Sequence, residues 1–546
     1  MRVLTFSRRY LLAHSGQLAA YVTVSMLAAG ISILSPYVIG VFLDALVDGG
    51  GMEVIARFCA VLGGLSVLKI LKGYVTSIIY ARMLAKMGWE LNRDAIRHVQ
   101  SLSLSYMDKK DSAYLSQRLS GDSGHVVGFS VSVFQGVLTN ALKIAVPFAV
   151  LLVLNWQVTL SFLAFLGAYV MVYRFFKAAL YSAGKALAEA SNRFFQSLFE
   201  QLRHVRLLKA DSRQAEINRL AEGSFGKLLD AKVRSQKTGY FYASTENVVS
   251  TVAQITLFVA GGIQFISGNF TIGMFTVFTS YFAMVMGSAK YFMGLGAAYQ
   301  GTLVAHDRLM EIFGQKPETN GDTELEEVRE IALMGVSFAY ETESGASRAV
   351  LRDFSCKFER GRIYAVSGEN GSGKSTLAGL LLGFYIDELS GGSVLYNGID
   401  IRKIDMVKAR REIIGYAEQE PQLFRESLLF NLVYDSDAAV DEARLWRLLD
   451  VLGMRAFVEE KGLGFEIDDG GANASGGEKQ KIAVLKALYK EPQVLVLDEP
   501  TSALDAQSAG RLMEYLHSVK KDRIIVLISH DGCVKAGCDA VVEVPG

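Results

Sequence analysis

Cysteine is scarce in this 546-residue chain, which holds 4: Cys59, Cys356, Cys533 and Cys538. They make neither a zinc pattern nor a disulfide framework. Cys533 and Cys538 stand too far apart for a CxxC pair, and packing is their expected role. An excess of one charge is missing too. The 56 Lys and Arg balance 56 Asp and Glu, so no basic field invites nucleic acid. Charge is sparse altogether, at 21% of residues against 51% apolar. A water-soluble protein of this size normally carries less apolar content. The excess gathers before about Leu295, and the remainder of the chain has an ordinary α/β composition.

The basic opening MRVLTFSRRYLLAHSG runs into an apolar stretch too long for a cleaved signal peptide, and further stretches of the same kind come after it. A membrane-crossing helix needs about 20 mostly apolar residues. Six segments qualify, near 18–43, 54–79, 126–154, 156–176, 240–266 and 272–295. An even number puts both ends of the chain on one side. The first, third and fifth connections (LVDGGGME, Asn155-Trp156 and SGNFT) carry no Lys or Arg. The second and fourth, about 81–125 and 177–239, are long and basic, with Arg82, Lys86, Arg93, Arg97, Lys109, Lys110, Arg118, Arg203, Arg206 and Lys209. The positive-inside tendency places these loops and both termini in the cytoplasm, and a bacterial inner membrane is the expected location.

Within the long loops, LNRDAIRHVQSLSLSYMDKK and EASNRFFQSLFEQLRHVRLLKA keep apolar residues at helical spacing among charges, so helices continue well below the membrane. Each is expected to reverse at a short helix, near 112–118 and 200–208. On free hairpins Tyr114, Leu115, Leu207 and Leu208 would be exposed without benefit; docking on the soluble domain covers them. The polar run GQKPETNGDTELE reads as a linker. The expected domains are a transmembrane domain over 1–312, a linker over 313–328 and a soluble domain over 329–546, which the motifs that follow make a nucleotide-binding domain.

In the last of these, 366–376 reads VSGENGSGKST. Residues 368–375 match G-x-x-x-x-G-K-[ST] between the β-rich RIYAVS and the helical TLAGLLLGF, the strand–loop–helix context of a phosphate-binding loop. Gly368, Gly371 and Gly373 let backbone N–H groups turn inward, and Glu369, Asn370, Ser372 and Thr376 complete the cradle. The helix starting near Lys374 adds its dipole. Lys374 is expected to reach the β- and γ-phosphates, and Ser375 to ligate Mg2+. A glycine turn with a structural role only is the alternative, and the flanking strand and helix argue against it. VLVLDEP, at 494–500, suits a parallel strand buried on both faces, and its end lies where ligands bind in an open α/β sheet. Asp498 is placed to hold Mg2+ through water, and Glu499 to orient or deprotonate the attacking water. RIIVLIS, at 523–529, is a second buried strand that delivers His530 to the same edge. A lone histidine is usually structural; its position after two phosphate-site motifs favours a role at the γ-phosphate.

In this order, the motifs resemble those of the ATP-binding cassette transporters, over the whole chain. The resemblance implies ATP and Mg2+ as cofactors. Tyr340, in VSFAY, is similar to the aromatic residue that stacks on adenine. Gln419, in AEQEPQLF, is similar to the glutamine that senses Mg2+ and contacts the membrane domain's loops. Ser502-Ala-Leu-Asp505 resembles the segment that crosses to a partner cassette, and His530 the switch histidine. ASGGEKQK, at 474–481, resembles the family's signature. Ser475, Gly476, Gly477 and Glu478 are then expected at the γ-phosphate held by 368–375 of a second molecule. A Ser-Gly-Gly turn opening a helix is a sound second anion cradle. Ala474 stands in place of the usual Leu, Glu478 of a frequent Gln and Lys481 of the usual Arg, while Asp469 supplies the acid expected ahead of the signature. Relatives usually carry one more helix than a chain ending at Gly546, so that helix is expected to be absent or trimmed. One chain holds one cassette, which implies a dimer. All the ATPase residues lie on this chain, which favours a homodimer over a heterodimer.

The fold so implied is an α-helical six-span membrane domain of the exporter type, with long cytoplasmic helical extensions, followed by an α/β P-loop ATPase domain with an α-helical subdomain. The loop between the fourth and fifth helices is expected to dock on the partner's cassette. The expected activity is ATP-driven export of an amphipathic small molecule or peptide across the bilayer, by alternating access. A lipid or lipid-linked flippase and an exporter-fold importer of the siderophore kind are the alternatives. No cysteine-peptidase domain precedes Leu18, so a leader-cleaving peptide exporter is not expected. Six spans exclude a soluble ATPase, and a purely structural role leaves Glu499 and His530 unexplained. Ionisable residues in or near the spans are Lys69, Lys72, Lys143, Arg174, Glu246 and Lys290; intramembrane charge is costly and points to function by default. Lys69, Lys72 and Arg174 have snorkelling as an alternative, while Lys143, Glu246 and Lys290 are candidates to line a polar cavity. The Met- and Phe-rich last span suits adaptable cargo, with helix packing the alternative for most of its side chains.

Overall fold

A computed structural model describes residues 2–110, 115–116, 118–341, 347–434 and 440–545. Contacts group the chain into two units: Met1–Arg97 with Ser116–Gly314, and His98–Leu115 with Gln315–Gly546.

The first unit is helical: α1 (Arg2–Ala13), α2 (Ser15–Val47), most of α3 (Met52–Gln100) and, beyond the short α4 (Leu104–Asp108) of the second unit, α5 (Ser123–Leu154), α6 (Trp156–Arg203), α7 (Val205–Asp211), α8 (Gln214–Ile266) and α9 (Ile272–Phe313). At about 1.5 Å per residue, the 49 residues of α3 reach roughly 70 Å, more than twice the ~30 Å apolar thickness of a bilayer. Among the described residues, five helical stretches are long and apolar enough to cross a membrane: α2, α3, Arg118–Leu154, α8 and α9. The remaining expected span, 156–176, opens α6, which is not among the five; its side chains at 158 and 161–163 lie outside the described residues.

Helix α9 packs on α5 and α2, while α6 pairs with α8. Small residues let the helices approach closely. A Cβ on Gly273 would meet Gly40 O at 2.1 Å, and one on Gly136 would meet the Tyr291 hydroxyl at 2.0 Å. Asp44 on α2 caps α9, accepting from Thr271 Oγ1 and from Gly273 N, each at 2.7 Å. At the other end of α9, Arg308 Nε and Nη2 donate to the two oxygens of buried Asp122 at 3.0 and 2.6 Å. Between these ends Glu246 is 1% exposed. Lys290 Nζ lies 2.7 Å from its carboxylate, and Tyr242 OH donates to it. The pairing neutralises two of the charges singled out in the spans; Lys143 is half-buried.

The second long reversal is made by α7 and by Ser212, whose φ of 54° turns the chain into α8. Leu207 is exposed there and Leu208 half-buried. In the first reversal α4 comes ahead of the expected short helix; Tyr114 and most of 112–118 lie outside the described residues, and within that range Leu115 and Ser116 are helical, with Leu115 buried.

The second unit has two sheets. The antiparallel one has order β2-β1-β4-β5, from β1 (Glu330–Glu341), β2 (Ser347–Glu359), β4 (Leu389–Tyr396) and β5 (Ile399–Asp400). The parallel one has order β6-β7-β8-β3-β9, from β3 (Arg362–Ser367), β6 (Ile414–Ala417), β7 (Val494–Asp498), β8 (Ile524–Ile528) and β9 (Ala540–Glu543). Every residue of β7 and β8 is buried, which is why both read as unbroken apolar runs. One core lies under the antiparallel sheet, around Phe338, Phe358 and Tyr396. The other joins the parallel sheet to a cluster of short helices, around Leu448, Leu485 and Leu512. Residues 315–323, in the stretch that reads as a linker, are strapped down: Leu102 pairs with Pro317, Glu318 N donates to Ser101 O at 2.8 Å, and Gly321 N donates to Ile404 O at 2.9 Å. All four cysteines are free; Cys356 and Cys538 are partly packed, whereas Cys533 is exposed, so packing does not account for it.

Candidate active site

β3 ends at Ser367, and the loop beyond it turns into α10 (Lys374–Leu381). Gly371 and Gly373 have φ of 84° and 102°, which favour glycine. A Cβ on Gly368 would meet Ser372 Oγ at 2.5 Å and Val544 O at 2.7 Å. The loop is thereby a backbone-lined cradle. Glu369, Asn370 and Gly371 are exposed at its rim, while Ser372, Lys374 and Thr376 are buried. Lys374 Nζ donates to the loop's own carbonyls at Gly368 (3.1 Å) and Glu369 (2.8 Å). Ser372 Oγ is buried with no hydrogen-bond partner, a cost that a bound acceptor would relieve.

Parallel register sets the ends of β3, β7 and β8 side by side, with Val366 and Asp498 both opposite Ile528. Asp498 is buried there and accepts from Ser375 Oγ at 3.1 Å. Burial raises its pKa above the ordinary aspartate value, opposed by Ser375 and by the charges of Lys374 and His530. His530, exposed two residues past β8, is thus within electrostatic reach of the Asp498 carboxyl. Glu499 adopts a left-handed backbone, φ 50°, held by its N–H to Ile528 O at 2.8 Å and by Gln480 Nε2, which donates to its carbonyl at 2.6 Å. Tyr340, half-buried at the end of β1, shares a hydrogen bond with Thr376 Oγ1 at 3.0 Å. Gln419 is exposed two residues beyond β6, the neighbour of β7.

The 474–481 stretch opens α11 (Gly476–Tyr489), with Ser475 as its N-cap in a full capping box. Glu478 N donates to Ser475 Oγ at 3.2 Å, while Ser475 N and Oγ donate to the Glu478 carboxylate at 2.7 and 2.8 Å. Ser475 and Gly476 are exposed, and Gly477 faces Ala503. Asp505 caps α12 (Ala506–Val519), accepting from Ser508 N at 2.8 Å and Ser508 Oγ at 3.0 Å. Those bonds hold its carboxyl below the ordinary range. The fold thus gathers 368–376, Asp498, Glu499 and His530 on one sheet edge. The donors of Ser475 are turned to the Glu478 carboxylate.

Gln480 escaped the sequence reading. It is buried on α11, donates to Glu499 and accepts from Ser502 Oγ at 2.9 Å, tying the helix of the glycine pair to the acid at the end of β7. Its signal was a polar residue on the helix face that also buries Val484 and Leu488.

The donor set fits a hard cation: Ser375 hydroxyl and Asp498 carboxylate already share one hydrogen bond, in a place where a nucleotide's oxygens would complete the shell. Among the described residues, no group of three or more His, Cys, Asp or Glu stands ready to hold a metal by itself.

A family model described as the ABC transporter transmembrane region matches residues 18–289, and one described as ABC transporter matches 351–502. The chain belongs to the ABC transporters, proteins in which an ATP-binding, ATP-hydrolysing cassette drives a membrane region. It is an exporter-type half-transporter and an integral membrane protein, one membrane region fused ahead of one cassette, and the half-transporter arrangement entails pairing of cassettes. It is 28% identical over 450 residues to the ABC transporter B family member 1 of Dictyostelium discoideum, covering 81% of this chain but spanning only 48% of that protein. It is 26% identical over 545 residues to an ATP-dependent lipid A-core flippase of Methylobacillus flagellatus, covering 97% and 89% of the two chains. The fold matches a bacterial Atm1-family ABC exporter solved with ATP bound, at a TM-score of 0.85 and 17% identity, over 97% of this chain and 93% of that one.

Proposed function

We propose that two copies of this chain form a homodimer that exports an amphipathic molecule, drug-like or peptide, across a bacterial inner membrane, with the cassettes and both termini in the cytoplasm. The observation that carries this reading is the division of phosphate-binding parts within one chain. The loop at 368–376 sits with Asp498, Glu499 and His530, while the second anion cradle, Ser475 to Gly477, opens a separate, exposed helix end. A second copy placed head to tail brings its cradle to the first copy's phosphates.

Lys374 then exchanges the carbonyls of Gly368 and Glu369 for the β- and γ-phosphates. Tyr340 packs on the adenine, and Asp505 lies by the partner's cradle. Ser375, Asp498 and Gln419 would hold Mg2+, which neutralises phosphate charge. Glu499, with its backbone fixed by Ile528 and Gln480, aims its carboxylate at the attacking water. His530 steadies the γ-phosphate. Closing the dimer pulls the loops at the cytoplasmic ends of the long helices and drives the membrane region from inward-open toward outward-open; hydrolysis resets it. Flipping of a lipid or lipid-linked cargo is the second reading, favoured by the flippase relative matched over almost the whole chain.

The test is Glu499→Gln in the full chain, purified in lipid. ATP binding should persist while hydrolysis falls by about 100-fold or more, and ATP should trap a dimer by mass. A variant that hydrolyses at the normal rate overturns the role of Glu499.

A further inference from the structure

We propose that Tyr385 is a positioning residue that carries movement of the phosphate-loop helix to α4, and through α4 to α3, by way of its hydroxyl on Asp108. The proposal rests on the reading of the cassette as an ATPase that drives the membrane helices.

Tyr385 is buried on every side but one. Its ring lies against α10 so closely that a Cβ on Gly379 would meet ring Cε2 at 2.4 Å. Phe338 packs at 5.5 Å between ring centroids, and Tyr340 stands edge-on at 5.8 Å and 82°. Tyr340 in turn shares a hydrogen bond with Thr376 in the first turn of α10. The ring therefore touches both structures that the nucleotide would touch, the adenine-side tyrosine and the helix that begins at Lys374. Packed this tightly, it has no second place to go, and displacement of either neighbour moves it.

The remaining side of Tyr385 is polar. Its hydroxyl donates to Asp108 Oδ2 at 3.3 Å. Beside it the Glu388 carboxyl is influenced by Ser103 and Ser105 of the same connection, and Leu104 packs on the cassette core. Desolvation raises the carboxyl pKa of both Asp108 and Glu388, and Asp108 itself keeps an exposed side at the rim of this seam. Helix α4 holds Asp108, and only 101–103 separate it from the 49-residue α3. A push on Asp108 thus reaches a membrane-crossing helix through one short connection. This route starts at the adenine side and is independent of Gln419.

The experiment uses the full chain in lipid nanodiscs with two spin-label pairs across the dimer, one on the cassettes and one on the loops outside the membrane between α2 and α3, with MgATP as the probe. Tyr385→Phe keeps the ring and removes one hydroxyl. ATP-dependent closure of the cassettes and KM for ATP should stay within twofold of wild type, while the opened fraction at the outer label pair falls at least threefold. Asp108→Ala should do the same, and the double variant should be no worse than either single one. An unchanged outer opening in Tyr385→Phe overturns the proposal. So does a parallel loss of closure and opening, which would make Tyr385 a shaper of the nucleotide pocket only, and so do additive losses in the double variant. Wild-type protein that neither hydrolyses ATP nor closes would instead overturn the underlying ATPase reading.

Discussion

Glu478 places a carboxylate on the two donors that the signature would offer to a phosphate, the N–H and hydroxyl of Ser475. As a capping-box residue it satisfies those donors within one chain. Facing a γ-phosphate it is a like charge, and at ~5 Å with an effective dielectric of ~20 that repulsion is about 3 kcal/mol before screening. Glu478→Gln keeps the cap geometry and removes the charge. The expected result is a KM for ATP lowered by about 5-fold or more, read from steady-state ATPase rates; an unchanged KM would mean that the carboxylate turns away when ATP binds. At this scale the sequence was informative where a motif sets the spacing, as for Lys374, Ser375, Asp498 and Glu499. It was silent on Tyr385 and Asp108, because residues 277 apart in sequence meet only through the tertiary fold and neither sits in a motif.

Among the elements, α8 and α9 are joined by the ion pair of Glu246, 1% exposed, with Lys290, 53% exposed. A buried charge without its partner is costly, whereas a neutral replacement is tolerated. Lys290→Ala is expected to destabilise the membrane unit by about 3–5 kcal/mol, seen as a lower unfolding temperature in detergent. Adding Glu246→Gln should recover most of that loss, because the amide keeps a partner in Tyr242. If the double variant melts as low as Lys290→Ala, the lysine matters for packing and not for charge. The long helices were legible because their apolar runs exceed a bilayer span, and β7 and β8 because burial on both faces demands unbroken apolar sequence. Helix α4 was not. Five residues, LSYMD, are too few to form a helix on propensity alone, and what fixes them is the cassette surface around Tyr385 and Glu388. The pinning of 315–323 was not legible for the same reason: its polar, turn-rich composition describes a connection equally well when it is free or held to Lys403 and Ile404.

For the whole molecule, the order of membrane unit and cassette is readable from composition alone, but which chain completes each ATP site is a property of the assembly. It can be decided with two damaged chains. Lys374→Ala removes the phosphate-loop cation and leaves the signature whole; Gly477→Asp puts a negative charge into the signature and leaves the phosphate loop whole. A carboxylate at 477 has room, since the nearest atom to a Cβ there is that of Ala503 at 3.5 Å, so the fold should accept it. Each variant alone forms dimers with no intact site, whether sites close within a chain or across two. Mixed before assembly in equal amounts, about half the dimers pair one of each. If sites close across two chains, every mixed dimer has one site built from the sound phosphate loop of one chain and the sound signature of the other. ATPase activity should then reappear in the mixture, up to about a quarter of the wild-type rate if single sites turn over independently. If each chain closes its own site, no mixture contains a sound site and none will turn over. Recovery that grows with the proportion of mixed dimers would therefore assign the glycine pair at 476–477 to the ATP held by another copy of this chain.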